Sequence, residues 1–253
     1  DFLGHCVRFL DLPEAINRGQ YLIPRLKRTE LSSAICGPAG LFGGSVDATL
    51  AEELVNAVSG RQDELPLLQH VLNRMWDLAR PGDDDGTPVV GWEQYEQVGG
   101  VASALSQHAD AIFNDLADDE QLVAEKVFRA ITERRIGAGG GQEVRRPQTL
   151  AQVAAATQIP WPAIGSVVER FAGEGIHFLS PIESPPVPES VVDISHEALI
   201  RQWERVKTWD KEEADRAADY RRWVSRATDY SSGGELLAGA DLARAVEWRD
   251  GAW

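Results

Sequence analysis

The sequence predicts a mainly α protein: a helical bundle, then a smaller α+β unit, then a helical C-terminal region. Three observations carry the prediction. Leu68, Val71, Leu72, Met75, Trp76 and Ala79 fall at i, i+3, i+4, i+7, i+8 and i+11, the apolar face of a helix over 65–79. Capping patterns recur at Asp47, at Asp118 with Gln121, and at Thr149 with Gln152. Strand-like runs are short and few: one within 19–26, and two more, 176–179 and 191–194, on either side of a proline-rich stretch.

Residues 1–28 begin loop-like and end strand-like, with Pro24 near the exit of the run Tyr21-Leu22-Ile23. Thr29 then caps a helix through Leu31, Ala34 and Ile35, which Gly37-Pro38 is expected to stop. Asp47 caps a second helix over 48–58, and 65–79 forms the third. Residues 81–91 read as a solvated loop, and a further helix covers about 100–117. Asp118 and Gln121 open a helix with Val123, Val127, Ala130 and Ile131 inward. Gly137 to Gly141 reads as a flexible loop. Thr149 and Gln152 open the short helix 150–156, and Pro160-Trp161-Pro162 turns the chain into another, with Ile164, Val167, Val168, Phe171 and Ala172 at helical spacing. Strand 176–179, the tip Pro181 to Pro188 and strand 191–194 follow. Helix, helix, helix, strand, turn, strand is the order of a winged helix. Residues 199–230 read as a long helix, polar after Trp209, and 233–253 resumes with Leu236, Leu237, Leu242, Val246 and Trp248.

The 253 residues leave room for two or three small domains, and a 43% hydrophobic content suffices for real cores. No run of 18 apolar residues occurs, so no membrane span or membrane partner is expected, and no signal-peptide pattern opens the chain. The opening Asp1-Phe2-Leu3 resembles the middle of a longer protein, and a fragment is expected. Cys6 and Cys36 make neither metal spacing nor a disulfide framework, which fits a reducing, cytoplasmic setting. The net charge of −15 divides into about −9 over 1–117, −4 over 118–205 and −2 beyond. No segment is basic, which weighs against nucleic-acid binding as the main work, because phosphate neutralisation supplies most non-specific affinity.

Several catalytic patterns are absent. The four lysines, Lys27, Lys126, Lys207 and Lys211, never follow a glycine, so the chain holds no P-loop G-x-x-x-x-G-K-[ST]. His196-Glu197-Ala198-Leu199-Ile200 has Ile where a zinc H-E-x-x-H motif needs its second His. No G-x-S-x-G elbow occurs. His5, His70, His108 and His177 are scattered singly, without ligand spacing. Arg134, Arg135, Arg145 and Arg146 flank the glycine loop; a DNA reading would set them on phosphates, the alternative being solvated charges. The helix that would enter a major groove offers only Glu169 and Arg170. Trp76, Trp203 and Trp209 read as packing anchors, and Trp161 as a plug at a helix start. No self-contained catalytic constellation emerges.

The run Val191 to Trp203 is the most informative stretch. It reads as a β-branched strand ending at a helix start, with Ser195 as N-cap and His196 and Glu197 in the first turn. Unpaired N–H groups, the helix dipole and an imidazole together suit an anion such as phosphate. The alternative is a solvated His at an ordinary helix start.

Four stretches together resemble the STAND class of signalling NTPases, and most closely the bacterial group often fused to WD40 repeats. They are Asp1-Phe2-Leu3-Gly4-His5-Cys6-Val7-Arg8-Phe9, the run from Leu12 to Leu26, Leu65-Pro66-Leu67-Leu68-Gln69-His70-Val71-Leu72, and the run from Ile194 to Trp203. Their order and spacing span nearly the whole chain.

The resemblance implies that 1–28 is the end of the NTPase core, with its last strand. It implies a helical lid subdomain over 29–117, a winged-helix subdomain over 118–205 and a C-terminal helical linker over 206–253. The family's phosphate-binding loop, magnesium-binding acid and sensor arginine would precede Asp1, so this chain alone is not expected to be an enzyme, while the parent would be a slow ATPase switch. Pro66 resembles the Pro of the lid's Gly-x-Pro type motif, which packs near the nucleotide base and sugar, although Glu64 stands where glycine is common. The alternative for Pro66 is a simple helix start. His196 resembles the His of the Met-His-Asp type motif, which reads the β-phosphate of ADP, with Ser195 and Glu197 in place of Met and Asp. The nucleotide-binding candidates are thus His196, Pro66 and Ser195.

The implied cofactor is ADP or ATP with magnesium in the full-length parent, and none for this chain alone. The implied partners are the P-loop core in cis, effector or WD40 domains of the parent, and further copies in an active oligomer. Anti-phage defence or regulated signalling would be the setting by analogy. Two other functions stand beside this one: a winged-helix DNA-binding transcription regulator, and a helical protein-interaction scaffold docking through 206–253.

Overall fold

A computed structural model of the chain describes residues 11–19, 25–60, 64–79, 86–137, 140–173, 175–180 and 182–251. Most of the strand expected within 19–26 therefore lies outside the described residues. So do the opening motif over 1–9, Cys6, and the loop residues 80–85. The described residues form twelve helices and six short strands, a mainly α architecture.

The first half is helical. Helix α1 spans Leu12–Gly19, and α2 spans Arg28–Leu41. Helix α2 begins one residue before Thr29: Lys27 is its cap, and the Glu30 carboxylate accepts from the Lys27 N–H at 2.7 Å. Gly37-Pro38 does not stop it, because Leu31, Ile35 and Ala39 form one buried stripe that carries the helix through Pro38. Helix α3 (Ala48–Val58) is capped as expected, the Asp47 carboxylate accepting from the N–H groups of Thr49 and Leu50 at 2.9 Å each. The Thr49 hydroxyl, donating to the same carboxylate at 2.6 Å, holds the Asp47 carboxyl below its usual range, and the two backbone bonds add to the effect.

Helix α4 (Glu64–Ala79) buries Leu67, Leu68, Val71 and Met75, with Leu72, Trp76 and Ala79 packed at the margin. Two features here carried no local signal. Strand β1 (Ser45–Val46) pairs in parallel with β2 (Val89–Val90), inside the stretch expected to be loop. Helix α5 (Trp92–Gln97) precedes α6 (Gly100–Asn114), which buries Val101, Ala104, Leu105, Ala109 and Phe113.

The second half opens with α7 (Asp118–Ile131), whose cap is Ala117. The partner of the Ala117 N–H is Glu120 rather than Gln121, at 3.1 Å; Gln121 instead donates to the Leu116 carbonyl. Strands β3 (Thr132–Gly137) and β4 (Gly140–Arg145) form an antiparallel hairpin where a flexible glycine loop was expected. Strand β5 (Gln148–Thr149) leads into α8 (Leu150–Thr157), where the Thr149–Gln152 capping box is present in both directions. Helix α9 (Trp161–Ala172) buries Ile164, Val167, Val168 and Phe171.

Beyond α9 the expected strand 176–179 reduces to a single antiparallel bridge, Leu179 with Ile194. Strand β6 (Val191–Val192) pairs with β5 instead. The helix expected over 199–230 is broken: α10 (Ala198–Gln202) ends at Trp203, whose backbone is extended, and α11 (Glu204–Ser231) starts anew. Helix α12 (Gly239–Gly251) follows. The break turns Trp203 into the core, where it is fully buried. No described helix is long and apolar enough to cross a membrane.

Candidate functional site

The local structure around His196 differs from the sequence expectation. Helix α10 starts at Ala198 with Glu197 as its cap residue, so neither Ser195 nor His196 lies in its first turn. Three consecutive buried residues, Ala198, Leu199 and Ile200, pull the helix into the core. The segment ahead of it is tied down by other bonds. The Ser195 N–H donates to the Phe178 carbonyl at 3.1 Å, and the His196 carbonyl accepts from the Leu199 N–H at 3.0 Å. Arg145 donates to the Asp193 carboxylate at 3.0 Å and reaches the Ile194 carbonyl at 3.4 Å. Ser195 is thus half-buried and held through its backbone, while the His196 side chain is exposed. The expectation of an anion site built on a helix N-terminus is corrected: α10 is only five residues long and begins after His196.

The fold nonetheless brings the three candidates to one place. Pro66 in the first turn of α4, and Ser195 and His196 ahead of α10, line a single cleft of about 670 Å³. Its wall along α4 continues through His70 to Asp77, and Phe178 faces from the segment after α9. The cleft volume lies in the range of small-molecule sites.

Beneath this wall sits a cluster that the sequence did not reveal. His70 of α4, His108 of α6 and Phe178 form a triangle of rings, with centroids 5.2 Å apart for His70–His108, 5.4 Å for His70–Phe178 and 5.2 Å for His108–Phe178. Burial pushes His70 down to about 4, with the Arg74 charge adding to the effect and a hydrogen bond to the Ala104 backbone opposing it. Burial pushes His108 down to about 3, helped by Arg74 and by His70. Both imidazoles are neutral at pH 7. Nε2 of His70 and Nδ1 of His108 are buried without a hydrogen-bond partner. Read singly along the chain, these histidines have no ligand spacing; the usable signal was that His70 follows Pro66 by one helical turn and so shares its face.

Of the arginines named for the DNA reading, Arg145 pairs with Asp193 and Arg170 with Asp115, while Arg146 is exposed. The side chains of Arg134 and Arg135 lie outside the described residues. On α9, the apolar positions Ile164, Val167, Val168 and Phe171 are all spent in the core.

The model of a protein family described as nSTAND1, Novel STAND NTPase 1, matches residues 1–236. No curated protein and no solved structure matches the chain.

Proposed function

The chain belongs to the Novel STAND NTPase 1 family, and from that premise we propose that it is the regulatory part of a nucleotide-driven switch. In this reading 1–28 closes the NTPase core, 29–117 is the lid, 118–205 is the winged-helix unit and 206–253 links to effector or WD40 domains. One observation carries it: Pro66 from the lid side and Ser195 with His196 from the winged-helix side meet in one cleft.

The residues present fit a nucleoside diphosphate with a division of labour. The exposed His196 imidazole and the Ser195 hydroxyl supply donors for phosphate oxygens. Pro66, Leu105, Ile176 and Leu199 supply apolar contact for a base and sugar. ADP or ATP, with magnesium, supplies a phosphate chain whose length differs between the two states of the switch. His196 responds to that difference by holding the diphosphate form, which ties the winged-helix side to the lid. Only a difference in affinity between closed and open arrangements can shift the population. No P-loop pattern occurs in these residues, so in this reading their part is to read the nucleotide, and hydrolysis is assigned to the parent's core. Opened copies then assemble and activate the parent's effector in a cytoplasmic signalling or defence response.

Calorimetry with ADP tests the reading, using the protein joined to its P-loop core. His196→Ala is expected to weaken ADP binding about ten- to a hundredfold, the range for a hydrogen bond to a charged group, and to raise basal activity. Unchanged ADP affinity removes the role assigned to His196. No ADP binding by the joined protein removes the switch reading as a whole.

A further inference from the structure

We propose that His70, His108 and Phe178 form a proton-sensitive latch that holds the 175–180 strap, and with it Ser195, against α4 and α6. The latch is a property of the ring triangle and does not depend on what occupies the cleft.

The geometry places Phe178 at a mechanical junction. Its ring touches one imidazole from α4 and one from α6, and is itself almost fully buried. Its N–H donates to the Phe171 carbonyl at 3.0 Å, which anchors it to the end of α9. Its carbonyl accepts from the Ser195 N–H at 3.1 Å, which anchors the approach to α10. Releasing the ring therefore moves both walls of the cleft. Within the strap Gly175 and His177 have φ of +77° and +51°; glycine takes this left-handed backbone freely, whereas at His177 it carries a modest cost that the surrounding packing offsets. The buried Phe178 and Leu179 that follow His177, together with the bonds from the Ile176 and His177 N–H groups to the Gly173 carbonyl, hold it in place.

The chemistry makes the packing conditional on charge. Each imidazole is packed as a neutral ring against an aromatic ring, with one nitrogen buried and unpartnered. A proton added to either ring would place a cation in that setting. The charged and titratable groups nearby do not compensate for it. Arg74 on α4 has the same sign and depresses both imidazoles. His177 and His196, on the strap and ahead of α10, line the cleft and add further positive charge when protonated. Asp77 is an exposed rim residue of the cleft, Glu197 is held by Arg201 at 3.2 Å, and Asp110 of α6 is held by Arg205 at 2.6 Å.

The sign follows from linkage. Both histidines are depressed in the closed arrangement, so the open arrangement binds more protons below about pH 6.5. The closed latch is at full strength above that pH and weakens as pH falls toward 4. Between pH 7.5 and 5.5 each imidazole favours opening by about tenfold, and the two together by about a hundredfold.

Hydrogen exchange on the 253-residue chain tests this, with rates corrected for their intrinsic pH dependence. The amides of Phe178, Leu179 and Ser195 report opening, and those of Val127 and Phe128 in α7 report global unfolding. The wild type is expected to lose about a hundredfold of protection at the first set between pH 7.5 and 5.5, while α7, whose global unfolding takes up the same two protons, stays the better protected of the two sets at both pH values. His70→Leu and His108→Leu should each retain about tenfold, and the double variant none. Undiminished acid sensitivity in the double variant overturns the latch. Should that variant not fold, His70→Gln with His108→Gln carries the same expectation. An NMR titration of the wild type decides independently: imidazoles that both titrate near pH 6.5 while Phe178 and Ser195 stay protected also overturn it.

Discussion

Gly44 shows how much a single residue can hold. A Cβ there would sit 2.6 Å from the Pro88 carbonyl oxygen and 2.7 Å from the Trp76 ring. That carbonyl accepts from the Ser45 N–H at 2.9 Å, the bond that opens the β1–β2 pairing. Backbone cannot give way as a flexible side chain can, so Gly44→Ala is expected to destabilise the chain by about 1–3 kcal/mol. Gly40 supplies the opposite sign. It lies in α2 with open space around its Cβ position, and Gly40→Ala is expected to stabilise by about 0.5–1 kcal/mol. Urea midpoints of the two variants check both signs at once, and a similar shift in both would remove the steric account of Gly44. Neither glycine differs from the other in sequence; what separates them is the parallel pairing of residues 45–46 with 89–90, a non-local contact with no local signature. The same holds for the ring triangle. His70 was legible as a neighbour of Pro66 on one helix face, but His108 and Phe178 reach it only through the packing of α6 and the strap.

At the scale of the element, legibility follows the length of the periodic signal. Helices α4 and α9 each carry an apolar face of several turns, and the residues expected inside are the ones buried or packed at the margin. Caps were legible where a side chain closes a local ring, as at Asp47 and Thr149. They slipped by a residue where two acceptors compete: Glu120 and Gln121 adjoin, and the nearer carboxylate takes the Ala117 N–H. Tertiary packing overrode the local signal in two opposite ways. Pro38 failed to end α2 because Ala39 belongs to its buried stripe, and Trp203 interrupted a helical pattern because burying its ring requires an extended backbone. The glycines of 137–141 suggested flexibility, yet the flanking residues pair in register from Thr132 with Arg145 to Gly137 with Gly140. The Thr149 box gives an element-scale prediction. Thr149→Ala removes the acceptor for the Gln152 N–H and should cost about 1 kcal/mol, with Thr149→Ser recovering most of it. Equal stability of the Ala and Ser variants would show that α8 is held by its packing on α7 and α9 instead.

At the scale of the molecule, Trp203 joins the two halves. Its ring lies 6.2 Å from Phe113 of α6, 4.9 Å from Phe128 of α7, 5.9 Å from Phe171 of α9 and 5.6 Å from Trp209 of α11. Its indole N–H donates to the Asp110 carboxylate of α6 at 2.9 Å, and Arg205 holds the same oxygen while lying over the Phe113 ring. One side chain thus fastens α6, from the first half, to three helices of the second. Truncating a buried aromatic of this kind costs about 3–5 kcal/mol, so Trp203→Ala is expected to be the most damaging substitution considered. Its form of failure is the sharper test. With the fastening gone, the core of α2, α3, α4 and α6 and the core of α7, α8 and α9 should unfold separately, each exposing only its own surface. Denaturant unfolding would then turn from one transition into two, each with a slope below that of the wild type, because the slope scales with the surface exposed. Trp203→Phe keeps the ring contacts but removes the donor to Asp110, which retains Arg205; it should therefore lower stability while leaving a single transition. If Trp203→Ala still unfolds in one step with an undiminished slope, the halves are coupled elsewhere, and the Phe113–Trp209 pair at 5.7 Å and the His70–His108–Phe178 seam become the places to look.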